Sequence, residues 1–343
     1  GVGLTPPVVE GRAFARGGLL GNPSDGYFGR TLSASLRDFH AKVSLHESPE
    51  LRIVPSEGDL DVFRSVEHLI RTLDSQGYYG GRRLLKAAIR VFFQYCHRNR
   101  ISILEQNFTL DYASSIPRQV GLGGSSAIVT AALRALMAFF EVEIPREEQP
   151  DVILSAEMDE LGITAGLQDR VIQVFEGLVY MDFSHRAMQD AGPCVYEPMD
   201  PSLLPRLFLA YRAAPGQASG KVHGDLRSRW EAGDSEVSEV LGEIADLAFL
   251  GREALLERRL GDFSSLIDRN FDLRCRIMSV DEGDLELVRT ARAMGASAKL
   301  AGSGGAIVGV IDGEDVKKRL RTALGGLGAQ LIEPTVAHGP GAG

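Results

Sequence analysis

Apolar and polar positions alternate in TLSASL (31–36) and AKVSLHE (41–47), which predicts two strands. AFARGGLLG (13–21) predicts a short strand running into a glycine-rich turn. Helical spacing covers 61–74 and 82–97, with QGYYGG as punctuation between them. FTLDYAS (108–114) predicts a strand. From Ser125 to Glu141 the period becomes helical, with Val129, Leu133, Leu136 and Phe140 on one face. DVILSAEMDELG (151–162) predicts another helix, closed by Gly162. GLVYMDF (177–183) and RLFLAYR (206–212) predict strands, and 226–275 is helical and charged. A helix over 283–294, a strand–turn–strand in AKLAGSGGAIVGVI, a helix over 314–323 and a last strand in AQLIEPTV follow. This final β/α stretch is the pattern of a compact second lobe. The boundary falls near residue 200, in EPMDPSLLP, and divides the chain into 1–200 and 201–343.

A chain of 343 residues is long for one small core and fits two lobes. The formal net charge of −9 argues against broad nucleic-acid or anionic-membrane binding, both of which need a basic face. It leaves room for a small anionic substrate in a local cationic pocket. No apolar run reaches membrane-spanning length, and no basic segment with an apolar stretch opens the chain, so a cytoplasmic location is expected. Cys96, Cys194 and Cys275 lie far apart without metal spacing and read as reduced thiols. The sequence opens at Gly1 without Met, which reads as a trimmed or tag-derived start. The oligomeric state is not written in the pattern.

PRQVGLGGSSAIVTAALRAL (117–136) sets Gly121, Gly123, Gly124, Ser125 and Ser126 directly before or at the start of a helix. A helix N-terminus exposes unpaired N–H groups and carries roughly half a positive charge, so it binds anions through the backbone alone. Glycines let that backbone approach a phosphate closely. On these residues alone two readings stand, a phosphate loop and a glycine-rich turn with a serine cap. The better-known phosphate motifs do not fit. GQASGKV (216–222) lacks the P-loop spacing and the Ser/Thr after Lys221, and 121–126 does not complete G-x-G-x-x-G.

PRQVGLGGSSA (117–127) resembles the middle motif of the GHMP kinases, P-x-x-x-G-L-G/S-S-S-A, with Gly124 where a serine is usual. AFARGGLLGNPSD (13–25) resembles their first motif and KLAGSGGAIVGV (299–310) their third, a glycine turn between two strands. LLGNPSDGYFGRT, GYYGG, IPRQVGLGGSSAIV, GLQDRV, GLVYMDFS and SGKVH resemble the plant-type glucuronokinase branch. The resemblance implies an α+β, two-lobed fold. Its N-terminal lobe is a mixed sheet with helices, its C-terminal lobe a ferredoxin-like α/β sandwich, and the active site lies in the cleft between them. It implies ATP and Mg2+ as cofactors and phosphorylation of the anomeric hydroxyl of glucuronic acid. The alternatives are a galactose-, galacturonate- or heptose-type sugar, or a catalytically silent sugar or nucleotide sensor. The expected partners are a sugar or uronate and a nucleotide, with no nucleic acid and no membrane.

Phosphoryl transfer needs in-line positioning, charge neutralisation and an oriented hydroxyl. The resemblance makes Asp169 the base. An ordinary carboxylate is a weak base at neutral pH, so in a loose transition state orienting the hydroxyl matters more than taking its proton. Arg16 matches the cation of the first motif and is expected to pair with Asp169 and touch the transferring oxygens; the alternative is an ordinary ion pair. Ser126 and Glu157 are the matched magnesium ligands, with Asp159 and Glu160 as competing carboxylates. Asp25 is expected on sugar hydroxyls, although Asn22 and Pro23 stand where Glu and His are usual; the alternative is an Asx turn. Gly302, Ser303, Gly304 and Gly305 bring backbone near the phosphates or the substrate, or else form a hairpin without a ligand. Tyr79, with Tyr78, is expected to stack on the sugar or to pack in the core. For a uronate carboxylate the candidates are Arg82, Arg83, Arg12 and Arg30, with Lys221 as a further contact.

Overall fold

The structure, a computed structural model, describes residues 6–56, 65–66, 80–158, 166–184, 195–212 and 219–339, with side chains given from 225 onward in the helix that starts at Ser219. The predicted 61–74 helix (apart from 65–66), Gly162, Cys194, Tyr78, Tyr79, Asp159, Glu160 and the side chain of Lys221 lie outside the described residues.

The elements run β1 (Val8–Leu20), β2 (Arg30–Glu47), β3 (Arg52–Ile53), α1 (Gly81–Arg98), β4 (Phe108–Ser114), α2 (Gly124–Phe140), α3 (Gln149–Met158) and α4 (Gln168–Phe175). There follow β5 (Leu178–Asp182), β6 (Val195–Met199), β7 (Leu207–Arg212), α5 (Ser219–Glu231), α6 (Ser235–Leu256) and α7 (Leu260–Ile277). The chain closes with α8 (Glu282–Ala293), β8 (Lys299–Leu300), β9 (Ala306–Val310), α9 (Glu314–Gly325) and β10 (Ala329–Ile332). The two strands expected at 31–36 and 41–47 are one, β2. Its polar interval at Arg37–His40 stays extended because Arg37 N–H donates to Thr335 O and Asp38 accepts from Thr335 N–H. The charged stretch from 226 divides into three helices. Strand β6 and helix α4 had no periodic signal. Among the described residues strand β6 pairs only with β5, which suits the proline it contains, Pro198.

Contacts group the chain into two units, each assembled from separate segments. The first comprises Gly1–Ala15, Phe39–Ile116 and Gly123–Val174. Here β4 pairs antiparallel with Ala41–Glu47 of β2 and parallel with β3. Helix α1 buries Leu84, Leu85, Ala88, Val91, Phe92 and Tyr95, one helical stripe. Phe92 and Phe108 both pack on Phe140, with ring centroids 5.8 and 5.9 Å away. Helix α2 is buried nearly all round, through Ala127, Val129, Ala131, Ala132, Leu133 and Leu136. Its alanines admit β1 at close range. A Cβ on Gly11 would run into Ala131 O and come within 2.6 Å of Ala135 N, so only glycine fits there.

The second unit comprises Arg16–Asp38, Pro117–Leu122 and Phe175–Gly343. Strand β5 lies between Arg30–Ala34 of β2 and β6, antiparallel to both. A separate antiparallel sheet runs β10-β7-β9-β8. Its core joins Phe208 and Ile307 to Phe271 of α7, Leu287 and Val288 of α8, and Leu320 and Leu324 of α9. Helices α6 and α8 start on aspartate caps. Asp234 accepts from Glu236 N–H and Val237 N–H, and Asp281 from Gly283 N–H. No helix among the described residues is long and apolar enough to cross a membrane.

Candidate active site

Helix α2 starts differently from α6 and α8. Its cap is Gly123, left-handed at φ 77°, and no side chain caps it. The serines expected as caps do something else: Ser125 is exposed, and buried Ser126 donates its hydroxyl to Gly123 O at 3.1 Å. Ala127 N–H donates to the same carbonyl at 3.0 Å, and Gln173 Nε2 of α4 at 2.8 Å. That C=O belongs to the peptide group whose N–H is Gly124's, the first amide of the helix. Three donors on the oxygen polarise this peptide and make its N–H a stronger donor. The first turn also holds no acidic side chain. The mouth of α2 is thus an uncapped, electropositive row of amides, suited to an anion. The Gly124 position has room: a Cβ would meet Ile116 Cγ2 at 3.7 Å, an ordinary contact, which agrees with serine being usual there.

Asp169 lies in the first turn of α4, four residues before Gln173 and so on the same helical face. Arg134 of α2 holds the far end of that helix, donating to Gln173 O and Val174 O at 3.0 Å each and to Arg12 O at 2.7 Å. Through the Gln173 side chain and the Arg134 guanidinium, the C-terminal end of the helix bearing Asp169 is fixed to the helix bearing the glycine loop.

Glu157, on α3, is 1 % exposed. Arg170 grips it, with Nη2 2.7 Å and Nε 3.1 Å from Oε1, and donates Nη1 to Gly166 O at 2.7 Å. Burial pushes the Glu157 carboxyl above the usual range, and this outweighs the pull of Arg170; Asp169, 3.9 Å from Arg170 Nη1, raises it further. Ser126, Glu157 and Asp169, separated by up to 43 positions (169 − 126), thus sit in one unit on α2, α3 and α4.

The second unit gathers parts of all three motifs around Arg16. This side chain is buried, and Nη1 donates to Gly121 O at 2.5 Å and Ala301 O at 3.2 Å. Arg16 N–H donates to Leu122 O, and Gly18 N–H to Ala301 O. A Cβ on Gly302 would collide with Gly121 O and lie 2.8 Å from Arg16 Nη1. Gly121 (φ 70°) passes so close to the turn that its Cβ would meet Ser303 N at 2.8 Å, and a Cβ on Gly304 would meet Asp284 Oδ2 at 2.7 Å. The 301–305 turn is therefore a backbone-to-backbone seat. Asp284 closes its other side, accepting from Gly305 N–H and Arg212.

Two cations that sequence reasoning passed over stand behind this seat. Arg274 donates to Gly302 O at 2.9 Å, and burial brings its pKa down to about 10, still charged at neutral pH. Lys299 is 2 % exposed and donates to Gly18 O, Asn22 Oδ1 and Leu300 O at 2.6 to 2.8 Å. Burial first, then Arg274 and Arg16, hold its amine well below the ordinary lysine range. Asn22 is thus a structural clamp: its amide oxygen takes Lys299, and its carbonyl takes Asn270, whose own oxygen accepts from Gly21 N–H.

Asp25 sits half-buried on a 3₁₀ turn, Ser24–Tyr27. Of the arginines proposed for a carboxylate, Arg30 is paired with Asp246 at 2.6 Å and Arg12 with Glu10. Arg82 and Arg83 are exposed at the start of α1. Arg170, in GLQDRV, and Lys299, at the start of KLAGSGGAIVGV, lie inside quoted motif stretches, and Gln173 and Arg274 outside them; for all four, only long-range contacts reveal the partners.

Residues 83–177 match the GHMP kinases N terminal domain. The chain is 48% identical over 314 residues to Glucuronokinase 1 of Arabidopsis thaliana, covering 90% of this chain and 86% of that one. It is 50% identical over 309 residues to Probable glucuronokinase 2 of the same organism, covering 88% and 84%. The Lactococcus lactis galactokinase solved with galactose superposes with a TM-score of 0.78 at 16% identity, over 98% of this chain and 96% of that one. The α+β fold, the matched domain and the identity across most of the chain agree: the protein belongs to the GHMP kinases, in their glucuronokinase branch.

Proposed function

We propose that the protein transfers the terminal phosphoryl group of ATP to the anomeric hydroxyl of D-glucuronic acid, giving glucuronic acid 1-phosphate and ADP. ATP use follows from membership of the kinase family. Identity of 48–50% to glucuronokinases supports the sugar. The observation that carries the chemistry is the uncapped start of α2, joined by Gln173 to the helix that bears Asp169.

The amides of Gly124, Ser125 and Ser126, with Gly121 and Gly123 bending the approach, take the nucleotide phosphates. Asp169 accepts a hydrogen bond from the attacking hydroxyl, holds it in line, and receives its proton late in the transfer. Arg16 sets the loop and the 301–305 turn and adds positive charge for the transferring oxygens. Asp25 accepts from sugar hydroxyls, and Gly302, Ser303 and Gly304 offer backbone to the substrate, with Tyr79 against the ring. The nucleotide loop and Asp169 fall in the N-terminal domain that the resemblance implies over 1–200, with 201–343 as the C-terminal domain, although the contact units cut across that boundary.

Magnesium fits the donors of the first unit. Among the described residues, no group of three or more acidic, histidine or cysteine side chains is placed to hold a metal ion. Magnesium in phosphoryl-transfer sites usually takes one or two protein oxygens plus phosphates and waters. Ser126 Oγ keeps its lone pairs while donating to Gly123 O, and Gln173 Oε1 is buried without a partner among the described residues. Ser126 and Glu157 would hold the ion, which would neutralise charge on the phosphates when bound.

A coupled ADP-release assay over glucuronic acid, galacturonic acid, galactose, glucose and a heptose tests the substrate. Glucuronic acid is expected to give the highest kcat/KM and an anomeric phosphate by phosphorus NMR. A higher kcat/KM on a neutral sugar would overturn the assignment, and ADP release from none of them would point to a sensor.

A further inference from the structure

On α5, against the Asp25 turn, stands an arginine with one hydrogen bond among the described residues. Arg227 Nη2 donates to Gly26 O at 2.9 Å, and its guanidinium carbon lies 4.7 Å above the Tyr27 ring. Trp230, one turn along, packs edge-on against Tyr27 at 5.3 Å and against Phe28 at 6.1 Å. A Cβ on Gly26 would come 3.3 Å from Arg227 Nη2, so this glycine admits the guanidinium. The carbonyl bond and the ring stacking fix the plane of the guanidinium.

Of its five N–H donors, one is used by Gly26. No carboxylate among the described residues comes within 4.0 Å of it, unlike Arg30 and Arg12. The Tyr27 hydroxyl is also without a hydrogen-bond partner among the described residues. Burial raises that phenol's pKa, the neighbouring Arg227 lowers it and Asp25 raises it, so both charges act on one ring oxygen. The Arg227 guanidinium of α5 is thus held against the turn that carries the Tyr27 phenol and the Asp25 carboxylate. A carboxylate placed against the remaining guanidinium donors would form a bidentate pair.

We propose that Arg227 binds the substrate's carboxylate and sets the preference for a uronic acid over its uncharged analogue. The inference rests on the sugar-kinase reading and on Asp25 marking the sugar site. Asp25 alone would serve any polyol; Arg227 adds the group that a neutral hexose has nothing to satisfy.

The test is the ratio of kcat/KM for D-glucuronic acid to that for D-glucuronamide, which has nearly the same shape without the charge. Arg227→Gln keeps an N–H for Gly26 O and removes the charge and the fork; Arg227→Lys keeps the charge and removes the fork. Hydrogen bonds to charged groups contribute about 1.5–3 kcal/mol, so the ratio should fall about 10- to 100-fold in Arg227→Gln and less in Arg227→Lys. An unchanged ratio in Arg227→Gln overturns the inference, even if both activities drop. Should that variant not fold, an unchanged ratio in Arg227→Lys overturns it instead. A wild-type enzyme that phosphorylates neither compound overturns the glucuronic acid reading on which the inference rests, a separate result.

Discussion

Gln173 Nε2 lies 2.8 Å from Gly123 O, which joins the helix that carries Asp169 to the residue that starts α2. The bond positions both elements and polarises the first amide of the phosphate row. Gln173→Leu keeps the volume and deletes the donor. Because Ser126 and Ala127 still donate to Gly123 O, the stability loss should be about 0.5–1.5 kcal/mol. The KM for ATP should rise several-fold beyond what that loss explains. Denaturant melts alongside ATP titrations check this, and an unchanged KM would detach Gln173 from the site.

The glycines at 302 and 124 have opposite tolerances. Gly302→Ala drives a methyl into Gly121 O and Arg16, so it should cost about 2–4 kcal/mol and cut activity. Gly124→Ser meets only Ile116 at ordinary contact distance and should change stability by no more than about 0.5 kcal/mol. Thermal melts of the two variants side by side are the measurement. Equal effects would contradict the packing described for the 301–305 turn.

Glu157 and Arg170 separate stability from chemistry. Removing one member of a buried ion pair strands the other, at a cost of about 3–5 kcal/mol, whereas replacing both is often near neutral. Arg170→Met should therefore be strongly destabilised, and Glu157→Gln with Arg170→Met should recover most of that loss. If Glu157 holds magnesium, the double variant should remain poorly active and need more Mg2+ for half-maximal rate. Full activity in the double variant would remove Glu157 from the metal site.

The acid limb of stability has an identified contributor. Hydrogen bonds from Arg206 first, and also from Lys317, pull Glu333 down to about pKa 2, below its ordinary value near 4.5. A depressed carboxylate stabilises the fold above its unfolded pKa and loses that contribution as pH falls through the folded one. The melting temperature should thus drop between about pH 4.5 and 2. Glu333→Gln should flatten that part of the profile while lowering stability at neutral pH. An identical acid limb in the variant would refute the assignment.

The three glycine-bearing motifs were legible because each needs special backbone over several consecutive residues. Those residues do meet: Gly121, Arg16 and Gly302 lie in mutual contact. Helices α1, α2 and α8 were legible because their apolar periods continue over three or more turns. Strand β2 was read as two because Arg37 and Asp38 expose polar groups in mid-strand, where partners distant in sequence keep the chain extended. Lys299 opens the third motif with no role of its own legible there, yet oxygens of residues 18 and 22 accept from its buried amine. Arg227 and Gln173 were hidden for the same reason: nothing within a few residues of either records what it touches.

The central claim is that Asp169 acts on the acceptor hydroxyl while the start of α2 holds the nucleotide. Asp169→Asn, measured for turnover with ATP and glucuronic acid and for ATP binding by calorimetry, tests both halves together. The account predicts a rate loss on the order of 100-fold or more, the scale of general-base contributions, with ATP affinity within a few-fold of wild type. Turnover within about threefold of wild type would contradict the role given to Asp169.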